Sequence, residues 1–180
     1  MRIGTATATT AIAAALVLAV AGCTQPPAPE PTPTPAFSSE DEAFAAAEAT
    51  YRAYVDALNQ VDLSDPATFE AVYDLTTGDL NASDRKSFTA WHADGYVKSG
   101  EATVVSIAPQ SAQLSPGSSV VVTACLDISA VDIRDAGGLS VVGADRPAVQ
   151  ALEVALVEAE EAPSQLRIIS LNPAEGQETC

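Results

Sequence analysis

The sequence predicts an α+β fold with helices on one face of an antiparallel sheet. Apolar residues recur at helical spacing between about residues 40 and 95, which predicts helices in the first half of the folded region. From residue 103 onward, runs rich in β-branched residues alternate with turn signals, which predicts strands. Helices followed by a strand meander are typical of α+β domains.

The first helix is predicted over residues 40–61. Ser39 and Glu42 have the spacing of a capping box, in which two side chains bind free backbone N–H groups at the helix start. The apolar stripe that follows consists of Phe44, Ala47, Tyr51, Val55 and Leu58.

The second helix is predicted to begin after Asp65, a good N-cap, with Pro66 at its first position. Gly78 is predicted to lie just past its end. Its buried face is predicted to consist of Phe69, Val72, Tyr73 and Leu75.

The third helix is predicted to start near Asn81 or Ser83 and to stop at Gly95. It carries Phe88 and Trp91, and we interpret Trp91 as a core anchor.

Four strands are predicted in the second half, over residues 103–108, 119–131, 148–157 and 166–171. Pro109 ends the first, and turns are predicted at Ser115–Gly117 and Asp135–Gly138. Alternate residues of the second strand form an apolar face, namely Val120, Val122, Ala124, Leu126 and Ile128. The residues between them, which include Cys125 and Asp127, form a more polar face.

The N-terminus has the layout of a secretory signal, with a basic Arg2 and an apolar run over residues 11–21. This run is shorter than the roughly 20 residues of a membrane-spanning helix. The stretch Val20-Ala21-Gly22-Cys23 closes it and resembles the lipobox of bacterial lipoproteins. The resemblance implies cleavage between Gly22 and Cys23, diacylglycerol on the Cys23 sulfur, and anchoring to the extracytoplasmic face of the cell membrane. The alternative is an ordinary signal peptide in which Cys23 is incidental.

Three segments are therefore predicted: a signal peptide over residues 1–22, a lipidated Cys23 with a proline-rich linker over residues 23–37, and one folded domain over residues 38–180. The linker holds six prolines between Thr24 and Ala36. A segment of this composition is extended, at about 3.1 Å per residue, and acts as a spacer.

The chain carries 24 acidic and 8 basic residues, a net charge of −16. This excess argues against nucleic-acid binding, because such proteins concentrate Lys and Arg against phosphates. It also argues against a domain that lies flat on anionic lipid. Scattered acidic residues favour a solvated, self-repelling surface over a specific site for cations or basic partners.

With Cys23 assigned to lipid, Cys125 and Cys180 remain. In an oxidising compartment two thiols most simply form one disulfide. It would close a loop of about 55 residues, and in the chain-entropy model such a disulfide stabilises the folded state by roughly 4 kcal/mol. The alternative is a nucleophilic Cys125 paired with His92, for which no third orienting group is apparent.

Five features carry a family resemblance: Ala53-Tyr54-Val55, Thr77-Gly78-Asp79-Leu80, Gly95 with Gly100, Ala124-Cys125-Leu126-Asp127, and Cys180. Over residues 40–180 the chain resembles the NTF2-like (SnoaL-like) cone fold and, more narrowly, actinobacterial lipoproteins of that fold. The resemblance implies a curved sheet and a pocket between the sheet and the first helices. Enzymes of that fold use an Asp or a His–Asp pair there, often with a Tyr, for proton transfer.

The acid–base candidates are Asp127, His92, Tyr54, Tyr51 and Tyr96. Each has a simpler interpretation. His92 is interpreted as a structural or surface residue near the end of a helix, where its positive form is favoured. Asp127 is interpreted as a solvated residue on the polar face of a strand, and the tyrosines as core residues. One histidine and no Cys-x-x-Cys pair exclude the common zinc sites. Neither a phosphate-binding loop nor a Gly-x-Ser-x-Gly motif is present. We therefore predict no metal, no cofactor and no committed catalytic residue.

The leading hypothesis is a non-enzymatic, lipid-anchored protein of the cell envelope that binds a partner protein or a small apolar ligand. The first alternative is a cone-pocket enzyme, of isomerase, dehydratase or cyclase type, on a hydrophobic substrate. The second is a structural accessory subunit of an envelope complex. The lining of the pocket distinguishes a binding protein from an enzyme.

Overall fold

The computed structural model describes residues 35–174 and Cys180. The predicted signal peptide, the lipobox with Cys23 and most of the proline-rich linker lie outside these residues. The helical elements are α1 (Glu40–Gln60), a 3-10 helix (Pro66–Phe69), α2 (Glu70–Tyr73) and α3 (Gly78–Ala93). Over the described residues, no helix has both the length and the hydropathy that crossing a bilayer requires.

The strands form one sheet and one small ribbon. They are β1 (Val97–Ser99), β2 (Thr103–Gln113), β3 (Ser119–Asp127), β4 (Asp132–Arg134), β5 (Val149–Glu158) and β6 (Leu166–Pro173). The sheet is an antiparallel meander in the order β2-β3-β5-β6, and β1 pairs with β4 apart from it. Register shifts in β2 and β6 are of the kind that bend strands. The predicted α+β class, with helices packed on a curved antiparallel sheet, is confirmed.

The predicted first helix is confirmed, with one difference at its cap. The Ser39 side chain accepts a hydrogen bond from the Glu42 N–H, as a capping box requires. The Glu42 carboxylate, however, accepts from the backbone N–H and the hydroxyl of Ser38 rather than from Ser39. Phe37, which was assigned to the linker, is buried in the core just before this cap.

The boundary between the second and third helices differs from the prediction. Helix α2 ends at Tyr73, because residues 75–77 pair with the edge of β6. The Thr77 N–H donates to the Ile168 carbonyl at 2.9 Å, and the Ile168 N–H donates to the Leu75 carbonyl at 2.9 Å. Gly78 therefore begins α3, with a φ of +59°, instead of following α2.

The third helix consequently starts three to five residues earlier than predicted. Asn81 lies within its first turns, and its side-chain amide donates to the Tyr73 carbonyl at 2.8 Å, which satisfies the end of α2. The end of α3 is as predicted, since Gly95 follows it with a φ of +71°.

Two strand boundaries were also predicted wrongly. Strand β2 continues through Pro109 to Gln113, because β2 is an edge strand, where a missing N–H is tolerated. Strand β3 ends at Asp127 instead of residue 131, since the Asp127 carboxylate accepts from the Ser129 N–H at 2.8 Å and turns the chain. The ribbon strands β1 and β4 were not predicted, because three residues are too few to show a period.

The core lies between α1 and the helix-facing side of the sheet. The predicted apolar face of β3 is confirmed, with Val120, Val122, Ala124 and Leu126 all buried. Cys125 lies on the opposite side of the same strand, where it forms a disulfide with Cys180, with the two Cα atoms 5.5 Å apart. The disulfide therefore fastens the last residue to the sheet face that the helices do not cover.

Candidate functional site

A cavity of about 160 Å³ lies between the helices and the ribbon. Its helical wall is formed by the end of α1, the loop that follows it, and the last turns of α3. The side chains on this wall are Leu58, Val61, Leu63, Phe88 and Trp91. Trp91 is half-buried: it packs against the core, as predicted, and it also lines the cavity.

The opposite wall comes from the sheet end and the ribbon. Its apolar residues are Ala102, Leu126, Ile128, Val131 and Ile133. Strand β3 contributes Leu126 because its even-numbered residues face the helices. Two polar residues, Asn59 and Lys98, complete the lining. The site is therefore an apolar cavity, to whose surface Asn59 and Lys98 contribute only apolar atoms.

The polar groups of Asn59 and Lys98 make hydrogen bonds to the backbone. The Asn59 side chain donates to the Ala102 carbonyl at 2.9 Å and accepts from the Ala102 N–H at 2.8 Å. Both ends of the Asn59 amide are therefore bound to the backbone of this chain. The Lys98 Nζ donates to the Asn59 carbonyl at 3.0 Å. Burial lowers the pKa of Lys98, and the nearby Glu101 opposes that shift.

His92 does not line this cavity. It is exposed on α3, and its Nδ1 lies 2.8 Å from the Leu63 carbonyl, which requires Nδ1 to carry the proton. Its ring meets Phe69 edge-on, with centroids 6.4 Å apart. His92 therefore ties the loop after α1 to α3, and it borders a separate surface groove with Tyr73 and Arg85.

Asp127 also lies outside the cavity lining. Its carboxylate accepts from the Ser129 backbone N–H. Hydrogen bonds from the Ser129 side chain and backbone lower the pKa of Asp127. A carboxylate with a lowered pKa at a strand end stabilises a turn and makes a poor general base. The structure thus brings neither His92 nor Asp127 to a common site.

Tyr51 and Tyr54 are buried on the inner face of α1, with ring centroids 6.3 Å apart. Burial raises the pKa of Tyr51 to about 12. Burial, with the charges of Asp84 and Tyr51, raises the pKa of Tyr54 well above its usual value. Both hydroxyls therefore stay protonated near neutral pH. The third tyrosine among the acid–base candidates, Tyr96, is half-buried beside the start of β1 and packs against the core.

Asp84 is the one titratable group at the core that the sequence reasoning missed. Burial raises its pKa to about 6. Its Oδ2 and the Tyr51 hydroxyl are both buried with no hydrogen-bond partner among the described residues. The available signal was its position, three residues after Asn81 and four before Phe88, which places an acid on the inner face of α3.

Within the described residues, no three His, Cys, Asp or Glu side chains are grouped so that they could hold a metal ion. Cys125 is bonded to Cys180, so it has no free thiol to pair with His92 as a nucleophile.

No protein-family model and no curated protein matches this chain. Several solved structures, including the following three, overlap with its fold. The intermembrane space region of the chloroplast protein ARC6 is 12% identical, over 72% of this chain and 94% of that one, with a TM-score of 0.48. A periplasmic fragment of TraM is 12% identical, over 77% and 100%, with a TM-score of 0.39. Agrobacterium tumefaciens VirB8 is 10% identical, over 76% and 94%, with a TM-score of 0.42. At these scores the likeness carries no conclusion about family or activity.

Proposed function

We propose that this chain is a non-enzymatic, lipid-anchored protein of the cell envelope whose domain binds a small apolar ligand. The lipid on Cys23 and the proline-rich linker would hold the domain on the extracytoplasmic face of the membrane. The observation that supports ligand binding is the apolar cavity of about 160 Å³ between α1, α3 and the ribbon.

The lining of the cavity favours binding over catalysis. A cone filled by its own side chains would leave no room for a ligand, whereas a cavity lined by Asp127 or His92 beside a tyrosine would favour an enzyme. Neither residue lines this cavity, and its surface is apolar. Proton transfer needs a titratable group within reach of the reacting atoms. Asn59 has none, and the Lys98 Nζ donates to the Asn59 backbone carbonyl.

The test uses Trp91, which lines the cavity and is the one tryptophan of the chain. A neutral apolar probe such as 4-phenylbutan-1-ol should change the Trp91 fluorescence of the purified full-length chain in a saturable way. Val131→Phe narrows the cavity and should weaken this binding severalfold or more.

The matched control is Val105→Phe, which makes the same substitution at a residue of β2 that is 57% exposed. It should bind the probe like the unmodified chain. The proposal fails if the probe leaves Trp91 unchanged up to its solubility, or if Val105→Phe weakens binding as much as Val131→Phe.

A second candidate function, binding of a partner protein, is favoured by two exposed apolar residues in the loop that follows β4. Leu139 and Val141 are 71% and 49% exposed. The Val141 N–H donates to the carbonyl of Ile133, which lines the cavity, at 2.9 Å. A photoreactive residue at Leu139 should crosslink a specific envelope protein in native membranes, and the same residue at Val105 should not. Equal crosslinking from both positions would contradict this candidate.

A further inference from the structure

We propose that the cavity between the helices and the ribbon is selective for hydrocarbons of about one ring in size, and that it rejects a hydroxyl on that ring. The inference deepens the proposed function and rests on it, because it names the chemical class of the ligand. It follows from the volume of the cavity, the apolar character of its whole surface, and the hydrogen bonds that occupy the polar groups of its lining.

The volume sets the size of the ligand. A protein cavity of about 150 Å³ with an apolar lining stays dry and binds one benzene molecule. This cavity has about 160 Å³ and a similar lining, which includes Leu58, Phe88 and Ile133. One ring or a short alkyl chain therefore fills it. A polar group at the end of a longer chain, such as the hydroxyl of 4-phenylbutan-1-ol, remains outside.

The side chains of the lining offer no hydrogen bond to a ligand. Among the described residues of the lining, Asn59, Trp91 and Lys98 carry polar side-chain atoms, and none of these atoms contributes to the cavity surface. Both ends of the Asn59 amide bind the backbone of Ala102, and the Lys98 Nζ donates to the Asn59 carbonyl. A polar atom on the ligand would therefore meet only apolar atoms.

The backbone of the ribbon-side wall is also engaged with groups that do not line the cavity. The carbonyls of Ile128 and Val131 both accept from the Arg146 Nη2, at 2.9 Å and 2.7 Å. The Ile133 carbonyl accepts from the Val141 N–H at 2.9 Å. A ligand hydroxyl inside the cavity would therefore lose its hydrogen bonds to water and find no acceptor on the cavity surface, which is unfavourable.

The test compares toluene with phenol in the purified full-length chain, because the two probes differ by a methyl group against a hydroxyl of similar size. Trp91 fluorescence, excited at a wavelength that neither probe absorbs, reports the affinity of each. Toluene should bind about a hundredfold more tightly, since the phenol hydroxyl would be buried without a partner. A site with a free hydrogen-bonding group would compensate for the hydroxyl and keep the two affinities within about tenfold.

Val131→Thr replaces a methyl group of the lining by a hydroxyl of nearly the same size, and it should bring phenol within about tenfold of toluene. Val105→Thr is the matched control, since it makes the same change at a residue of β2 that is 57% exposed. It should keep the hundredfold preference. Binding of toluene by Val131→Thr reports whether the cavity is intact, and if that binding is lost, the two probes in the unmodified chain decide.

The outcomes separate the two proposals. If phenol binds the unmodified chain within about tenfold of toluene, or if 4-phenylbutan-1-ol binds and toluene does not, the hydrocarbon class is wrong and the proposed function stands. A preference that an intact Val131→Thr leaves unchanged, or that Val105→Thr abolishes, also contradicts this inference. If neither toluene nor 4-phenylbutan-1-ol alters Trp91, the proposed function fails and this inference fails with it.

Discussion

At the scale of single residues, Asp84 shows how packing changes the chemistry of a side chain. It lies on the inner face of α3, where burial raises its pKa to about 6, against an ordinary value of 3.8. Between these two pH values the folded chain binds more protons at Asp84 than the unfolded chain does. The contribution of Asp84 to the free energy of unfolding therefore falls as the pH rises from about 4 to about 6, and it stays low above that.

Asp84→Asn should remove this pH dependence. The change in unfolding free energy that Asp84→Asn causes should be about 1 kcal/mol more favourable at pH 8 than at pH 4. This figure is lower than the full pKa shift would give, because the carboxyl is only partly buried and solvent screens it. Urea unfolding of both proteins at the two pH values measures it. Asp56→Asn, at an exposed position of α1, is the control and should show no such gain. An identical pH dependence in the unmodified chain and in Asp84→Asn would contradict the burial of this carboxyl.

The disulfide gives a second prediction at this scale. Because it closes a loop with a sequence separation of 55, Cys180→Ser should lower the free energy of unfolding by about 2–4 kcal/mol. Denaturant unfolding without reductant measures the loss. A reducing agent should bring the unmodified chain down to the stability of the variant and leave the variant unchanged. Thiol counting on the unfolded, unreduced chain should find Cys125 and Cys180 both oxidised. Two free thiols at these positions would show that the disulfide does not form.

At the scale of elements, the segment between α2 and α3 protects one edge of the sheet. Residues 75–77 pair with β6 through the backbone of Ile168, and the Arg167 side chain donates to the Asp74 carbonyl at 3.0 Å. An uncovered edge strand invites pairing with another chain. The other edge strand, β2, is interrupted by Pro109, which removes a backbone donor.

Gly78 makes the turn from this segment into α3. Its φ is +59°, and a Cβ placed there would lie 3.2 Å from the Ile169 Cγ1. Gly78→Ala should therefore lower the free energy of unfolding by about 1–2 kcal/mol, through backbone strain and crowding together. Gly117→Ala is the control, since Gly117 has a φ of +82° and a Cβ added to it would meet no atom within 4 Å. It should cost less, and equal losses would show that the contact with Ile169 has no effect.

At the scale of the whole molecule, the proposed membrane anchor and the proposed ligand site depend on different parts of the chain. The lipobox resemblance rests on residues 20–23, whereas the cavity is built by residues 58–133. Losing the lipid should therefore change where the protein is found without changing what it binds.

Cys23→Ala should move the protein from the membrane fraction to the soluble fraction, because the thiol that would carry the diacylglycerol is gone. Fractionation followed by immunoblotting measures this. Cys180→Ser, which leaves Cys23 intact, is the control and should stay with the membrane. A Cys23→Ala protein that remains membrane-bound with unchanged processing would contradict the lipid anchor.

The fold class, the first helix and the apolar face of β3 could all be predicted from the amino-acid sequence alone. In each case a period repeats over many residues, so a local pattern carries the information. The sequence also pointed to Cys125 and Cys180 as a pair, because counting cysteines needs no coordinates. Boundaries were weaker, since the end of α2 depends on the pairing of residues 75–77 with β6, which lies about 90 residues further along the chain.

Which side chains meet was decided by the packing of the elements. The cavity joins Leu58 of α1, Trp91 of α3 and Lys98 of β1 with Ile133 of β4, and no sequence spacing relates these residues. The same packing placed His92 and Asp127 apart and buried Asp84 on the inner face of α3. Burial, and with it the pKa of a carboxyl or an ammonium, is a property of the surrounding elements, so it appears only when those elements have come together.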